Sequence, residues 1–133
     1  MRVEEVQIKS HRREELINIT ETVRNFAAKA KLQDGIIIVF VPHTTAAVTI
    51  NENADPDVAF DILFKLGREF PKSDSYAHSE GNSDAHIKSS LIGSSLQVIV
   101  SGGTLLLGVW QGIYFCEFDG PRVRRVYLKA MSG

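Results

Sequence analysis

Three of the four histidines in this 133-residue chain, His43, His78 and His86, stand in stretches rich in turn formers and polar side chains. Neutral imidazole is the commonest ligand for zinc and similar divalent ions, and three protein ligands plus one water is the usual catalytic zinc arrangement. The stretch HSEGNSDAHIKSS, residues 78–90, contains two of them together with Glu80, Asp84 and Lys88. Their spacing is too long for one face of a helical turn, so the loop must fold back on itself, which Gly81, Asn82 and Asp84 allow. Glu80 and Asp84 are then placed to orient an imidazole or to act as a base on bound water. The plain alternative is that four histidines are unremarkable in a chain of this size, and a pair eight apart has no metal signature of its own.

The same stretch offers a second chemistry. Asp84 reads as the cap of a short helix, Ala85–Ile92, closed by Gly93. The free N–H groups of its first turn, with His86, Lys88, Ser89 and Ser90 nearby, suit a phosphate or carboxylate. The plain alternative is that Asp84 simply caps the helix, with Lys88 in solvent and the serines as spacers; no glycine-rich phosphate fingerprint accompanies the helix. Elsewhere, Asn51 and Glu52 end an apolar strand, and Gln111 and Glu117 lie around the ends of another. Glu117, between Cys116 and Phe118, needs either the solvent face or a partner. Trp110 is read as core or interface. No serine sits in a G-x-S-x-G elbow, and Cys116 has no local histidine, so covalent catalysis is not supported.

The elements that must position these groups can be read from periodicity. VQIKS and ELINIT are two short strands joined near His11–Arg13, and Thr20 is placed to cap a helix running to about Leu32 with Val23, Phe26, Ala27 and Ala30 as its apolar stripe. IIIVFV, Ile36–Val41, suits a strand buried on both faces. TAAVTINEN resumes as a strand after Pro42, with Ala46, Val48 and Ile50 facing one way. Asp55-Pro56-Asp57 then starts a helix whose buried face is Val58, Ala59, Ile62, Leu63 and Leu66, ending at Gly67 and Pro71. Residues 71–84 are a polar loop. The last forty residues are strands: LQVIVS, TLLLGVW, IYFCEF and VRRVYLKAM, the first two joined at Gly102-Gly103 and the last entered through Gly120-Pro121. About eight strands and two or three helices make residues 1–133 a single α+β domain on a large, mostly antiparallel sheet or sandwich.

A net charge of −1 provides no global field toward nucleic acid or an anionic membrane, so neither is an expected partner. The longest apolar run is far too short to span a bilayer, and the start has no signal-peptide pattern. A single cysteine excludes an internal disulfide and fits a reducing compartment. A soluble, cytoplasmic protein is expected.

With these segments in hand, the chain resembles the YjbQ or UPF0047 family, also called the secondary thiamine-phosphate synthase family. The resemblance is carried by HTTAAVTINENADPDV, by EGNSDAHIKSSLIGSSLQVIVSGGTLLLGVWQGIYFCEFDGPR and by the closing RVYLKAM, in that order over nearly the whole chain. It implies a strand-rich α+β fold, a homotrimer with pockets near subunit contacts, and a metal site at His43, His78 and His86, with zinc the expected metal. It carries over Asn51, Glu52, Glu80, Asn82, Asp84, Lys88, Gln111 and Glu117 as polar site positions, to which the helix start adds Ser89. The expected roles are Glu52, Glu80 and Lys88 in catalysis and the remainder in substrate binding. The implied reaction joins a phosphorylated thiazole to a pyrimidine diphosphate with loss of pyrophosphate. Transfer of that kind commonly uses magnesium and carboxylates, whereas three histidines favour zinc-like metals. The broader expectation is a metal-assisted enzyme acting on a small phosphorylated metabolite, by transfer or by hydrolysis. A non-catalytic trimer that binds a metal or an anion is the alternative.

Overall fold

The Ile36–Val41 run becomes the middle of the larger sheet. In the computed structural model, which describes residues 3–133, β3 (Gly35–Phe40) is flanked by β8 (Val123–Ser132) and β5 (Ser95–Ser101). β1 (Glu4–Lys9) adds outside β8 and the two-residue β6 (Thr104–Leu105) outside β5, giving the order β1-β8-β3-β5-β6. A second sheet has the order β2-β7-β4, from Glu15–Asn18, Gln111–Glu117 and Ala46–Glu52. Every described pairing is antiparallel. The two early strands do exist, but β1 and β2 enter different sheets, so the turn between them crosses from one layer to the other.

The core lies between the sheets. Ile37, Val39, Val98, Val126 and Leu128 of the larger sheet meet Ala46, Val48, Ile113 and Phe115 of the smaller, as strand alternation requires. Helix α1 (Thr20–Lys29) adds Val23, Phe26 and Ala27 to the same core. It ends three residues short of the expected Leu32, and its cap position is Ile19. Thr20 cannot cap because its hydroxyl is committed elsewhere: it donates to Asn18 Oδ1 at 2.6 Å and accepts the N–H of Ile113 at 2.9 Å. The outer side of the smaller sheet carries α2 (Pro56–Glu69) and α3 (Ser83–Ile92), which meet Ala47, Cys116 and Phe118 in a smaller cluster. Asp55 caps α2 as expected, accepting Asp57 N–H at 2.9 Å, with Pro56 at the first helical position.

Two expectations are corrected. β3 is not covered on both faces: Ile37 and Val39 are buried, whereas Ile36 and Ile38 are half-buried and Phe40 is 42% exposed. Among the described residues no layer lies over the outer face of the larger sheet, so an unbroken apolar run here means only that neither face is polar. TLLLGVW is not a strand beyond Leu105, because Gly108–Gln111 forms a turn in which Gln111 Oε1 accepts Gly108 N–H at 2.7 Å. The turn leaves Val109 and Trp110 projecting into solvent. The Gly102-Gly103 hairpin is present, and both glycines take the positive φ that the turn demands.

Candidate functional site

The loop before α3 folds back as its glycine and asparagine allow. Gly81 has φ 80°, and Asn82 rather than Asp84 holds the cap position of α3. His78 and His86 thereby meet edge to face, with ring centres 5.5 Å apart. Two imidazoles on one tetrahedral zinc, with Zn–N near 2 Å, have ring centres about 5 Å apart. His78 Nε2 also lies 3.7 Å from Glu80 Oε2.

His86 continues into a cavity of 350 Å³ between α3 and the connection from β3 to β4. His43, Thr44, Ser89, Ser90 and Ser94 also line it, and among the described residues no carboxylate does. Ser90 is spent on the helix, donating to the His86 carbonyl at 2.9 Å. The Ser89 hydroxyl is buried and has no hydrogen-bond partner among the described residues. His43 Nε2 accepts the backbone N–H of Arg125 at 3.0 Å. Burial first, then the charges of Arg124 and Arg125, push the His43 pKa below its ordinary value and favour the neutral ring. Among the described residues no group of three or more His, Cys, Asp or Glu side chains is arranged to hold a metal ion. The structure thus brings His78 and His86 together, and His43 lines the same cavity as His86 with one nitrogen already engaged.

Several polar positions meet the protein rather than a cavity. Lys88, expected in solvent or on a leaving phosphate, is fully buried, with Nζ 2.8 Å from Asp84 Oδ2 and 3.0 Å from Glu14 Oε1. Asp84, expected as a cap or ligand-binding group, is also buried and receives a two-pronged Arg13 guanidinium at 3.0 and 3.1 Å. Burial works to raise the Asp84 pKa, but the bonds from Arg13 and Lys88 outweigh it and hold the group below the usual carboxylate value. A buried amine needs such matching, since an unpaired charge out of water is very costly.

Glu117 finds the partner its apolar neighbours required. Arg124 binds both carboxylate oxygens, Ser10 Oγ donates at 2.7 Å and Asp119 N–H at 3.0 Å. These bonds, chiefly that of Arg124, overcome desolvation and lower its pKa. Arg124 Nη2 also donates to Thr45 Oγ1 at 2.9 Å, which ties the chain next to His43 into the core.

The remaining candidates lie apart. Asn51, Glu52 and Gln111 cluster at the far end of β4, where Glu52 pairs with Gln111 across the sheet. Asn51 Oδ1 accepts Glu52 N–H at 2.7 Å, Glu52 Oε2 accepts Asp55 N–H at 2.9 Å, and Gln111 closes its own turn. Asn51 and Glu52 are spent on the approach to α2, and Gln111 on the turn before β7. Asn82 donates to Asp119 Oδ2 at 2.9 Å, leaving its buried Oδ1 without a partner among the described residues. Sequence reading missed Arg13, Glu14, Thr44, Ser94 and Arg124. Only Arg124 had a signal, as a charge on the same strand face as Val126 and Leu128 in VRRVYL.

Comparisons with known proteins agree with one another. A family model described as UPF0047 protein YjbQ-like matches residues 4–133. The chain is 54% identical over 126 residues to UPF0047 protein MJ1081 of Methanocaldococcus jannaschii, covering 95% of this chain and 91% of that protein. It is 50% identical over 128 residues to UPF0047 protein YugU of Bacillus subtilis, covering 96% and 97%. A crystal structure of a YjbQ/UPF0047 family protein from Clostridium acetobutylicum superposes with a TM-score of 0.94 at 54% identity, covering 96% of this chain and 98% of that one. The hypothetical protein APE1520 of Aeropyrum pernix superposes with a TM-score of 0.95 at 35% identity over the whole of both chains. This chain belongs to the YjbQ-like UPF0047 family.

Proposed function

We propose that the protein is a metal-assisted enzyme acting on a small phosphorylated metabolite in the cavity beside α3. The observation that carries this reading is the pairing of His78 with His86 at 5.5 Å, next to a cavity lined by hydroxyls and imidazoles with no carboxylate. A pocket that offers donors and no negative charge favours an anionic guest. His78 and His86 would hold a divalent ion, zinc by the nature of the ligands, with Glu80 beside them. Such a metal supplies a Lewis acid, or a water acidified to a pKa of roughly 7. The chain's own contribution is to fix the ligand: Ser89 and Thr44 present hydroxyls, and the buried Asp84–Lys88 pair holds α3 so that His86 and Ser89 share one cavity. Formation of thiamine phosphate, with loss of pyrophosphate, is one reaction of this class.

The exposed apolar outer face of the larger sheet, including Phe40, Ile99 and Met131, supports a homo-oligomeric working form, a trimer by the family resemblance. A second reading, a trimer that binds a metal or anion without turnover, is favoured by one observation. Among the described residues no carboxylate lines the cavity, its imidazoles are His86, assigned to the metal, and His43, whose Nε2 already accepts the Arg125 N–H, and Glu80 is 71% exposed.

Elemental mass spectrometry of the purified protein, beside His78→Ala and His86→Ala, tests the metal. About one zinc-like ion per chain, lost in both variants, is the expected result. No metal after reloading sinks the metal-assisted reading. A screen of phosphate esters and diphosphates for released phosphate or pyrophosphate separates enzyme from binding protein.

A further inference from the structure

The β3 strand ends at Phe40, opposite Tyr127, and the chain then leaves the ladder through Pro42. Two residues before Tyr127 along β8, the N–H of Arg125 is met by a side chain: His43 Nε2 accepts it at 3.0 Å. A ring nitrogen that accepts an N–H carries no proton itself, so the neutral His43 ring must be protonated on Nδ1. Among the described residues no protein acceptor takes that Nδ1–H.

This is the reverse of a metal ligand's arrangement. An imidazole bound to a metal through one nitrogen donates its other N–H to a carboxylate, carbonyl or water. For His43 to ligate through Nδ1, the proton would have to move to Nε2, where it would face the N–H of Arg125. For it to ligate through Nε2, the Arg125 amide would lose its acceptor.

We propose that His43 is not a metal ligand but a neutral hydrogen-bond donor, its Nδ1–H given to a phosphoryl oxygen of the ligand in the cavity it shares with His86 and Ser89. The unpartnered, buried Ser89 hydroxyl is the second donor to the same anion. Burial and the neighbouring Arg124 and Arg125 charges favour the neutral ring, in line with the tautomer that the Arg125 hydrogen bond requires. This assignment rests on the phosphorylated-ligand reading above and specifies which group recognises the phosphoryl.

Long-range proton–nitrogen NMR on the ¹⁵N-labelled chain reads the tautomer directly. Before any addition His43 is expected as the Nδ1–H form. Zinc chloride is expected to move the His78 and His86 nitrogens and leave the His43 Nδ1 proton in place. Inorganic phosphate is then expected to shift the His43 Nδ1–H. Phosphate affinity should fall about tenfold in His43→Ala, the loss of one good hydrogen bond. It should recover most of this in His43→Asn, whose amide restores a donor, and zinc stoichiometry should be unchanged in both. Loss of the Nδ1 proton on zinc addition, or loss of zinc from a folded His43→Ala, overturns the assignment while leaving the metal-assisted reading intact. Phosphate that binds without moving His43 overturns it too. Phosphate that does not bind the parent at all sinks the phosphorylated-ligand reading, and this assignment with it. Zinc that leaves His78 and His86 unmoved sinks only the metal half of that reading.

Discussion

Helices α2 and α3 lie over the same face of the three-stranded sheet, yet they are held there by opposite means. α2 has every mark of a well-specified amphipathic helix, an aspartate cap, a proline at the first position and an apolar stripe, and none of its residues is buried. Leu63 and Leu66 only partly enter the small cluster under the helices, while Phe60 and Phe64 stack on each other with ring centres 6.2 Å apart, exposed. α3 has almost no apolar face but buries Asp84, Ala85, Lys88 and Ser89. Apolar periodicity thus marks a surface that wants covering and does not say that the same chain covers it. Position, for α3, comes from charge: Lys88 leaves water only where Asp84 and Glu14 meet it, and that geometry fixes His86 and Ser89 on the same helix.

The contrast can be broken at its strongest point. Asp84→Ala removes the group that Arg13 and Lys88 share, and urea unfolding should show a loss of about 3–5 kcal/mol, the usual cost of stranding a buried charge. Asp61→Ala on the exposed side of α2 should change stability by less than about 0.5 kcal/mol. A cost below about 1 kcal/mol for Asp84→Ala would mean that ion pairing is not what anchors α3.

Acid should expose part of the same effect. Asp84 and Glu117 are both held below the ordinary carboxylate range by their cationic partners. Their stabilisation is therefore complete above the unfolded carboxylate pKa, about 4, and is lost as pH falls through the lower folded values. Thermal unfolding followed from pH 7 to pH 2 should steepen below about pH 4. The slope should flatten in Asp84→Asn, which removes one titrating group; an unchanged slope would assign the acid sensitivity elsewhere.

The smallest effect on the chain itself is expected on α2. Phe64→Ser should alter single-chain stability by under about 1 kcal/mol, because the ring is 56% exposed. Sedimentation should nevertheless show a weakened assembly if a second copy covers that face. An unchanged mass distribution would remove α2 from any subunit contact and leave the outer face of the larger sheet to account for assembly alone.

What the sequence disclosed was what short-range chemistry decides. The Asp55-Pro56 helix start, the Gly102-Gly103 hairpin and the strand alternation around Val48 and Phe115 each depend on a few neighbouring residues. The separation of β1 from β2 was hidden because their pairings are distant: Glu4 meets Leu128, and Glu15 meets Glu117. The approach of His78 to His86 was legible from Gly81 and Asn82, which permit the loop to reverse. The duty of Lys88 was not, because a lysine four residues after an aspartate looks like an exposed helical pair. Its burial depends on Arg13 and Glu14, whose contacts with Asp84 and Lys88 span 71 and 74 positions of chain.

At the place where β3 gives out, a side chain stands in for a missing main-chain carbonyl. The exchange of one amide proton with solvent deuterium is thereby linked to the candidate site. While the His43 ring stays seated, the Arg125 amide should be protected like its neighbours inside the sheet. A metal that took Nε2 would release that proton, whereas a guest that accepts only the Nδ1–H leaves it bound. A single labelled backbone position therefore tells a metal seated on His43 from a guest that only accepts its proton.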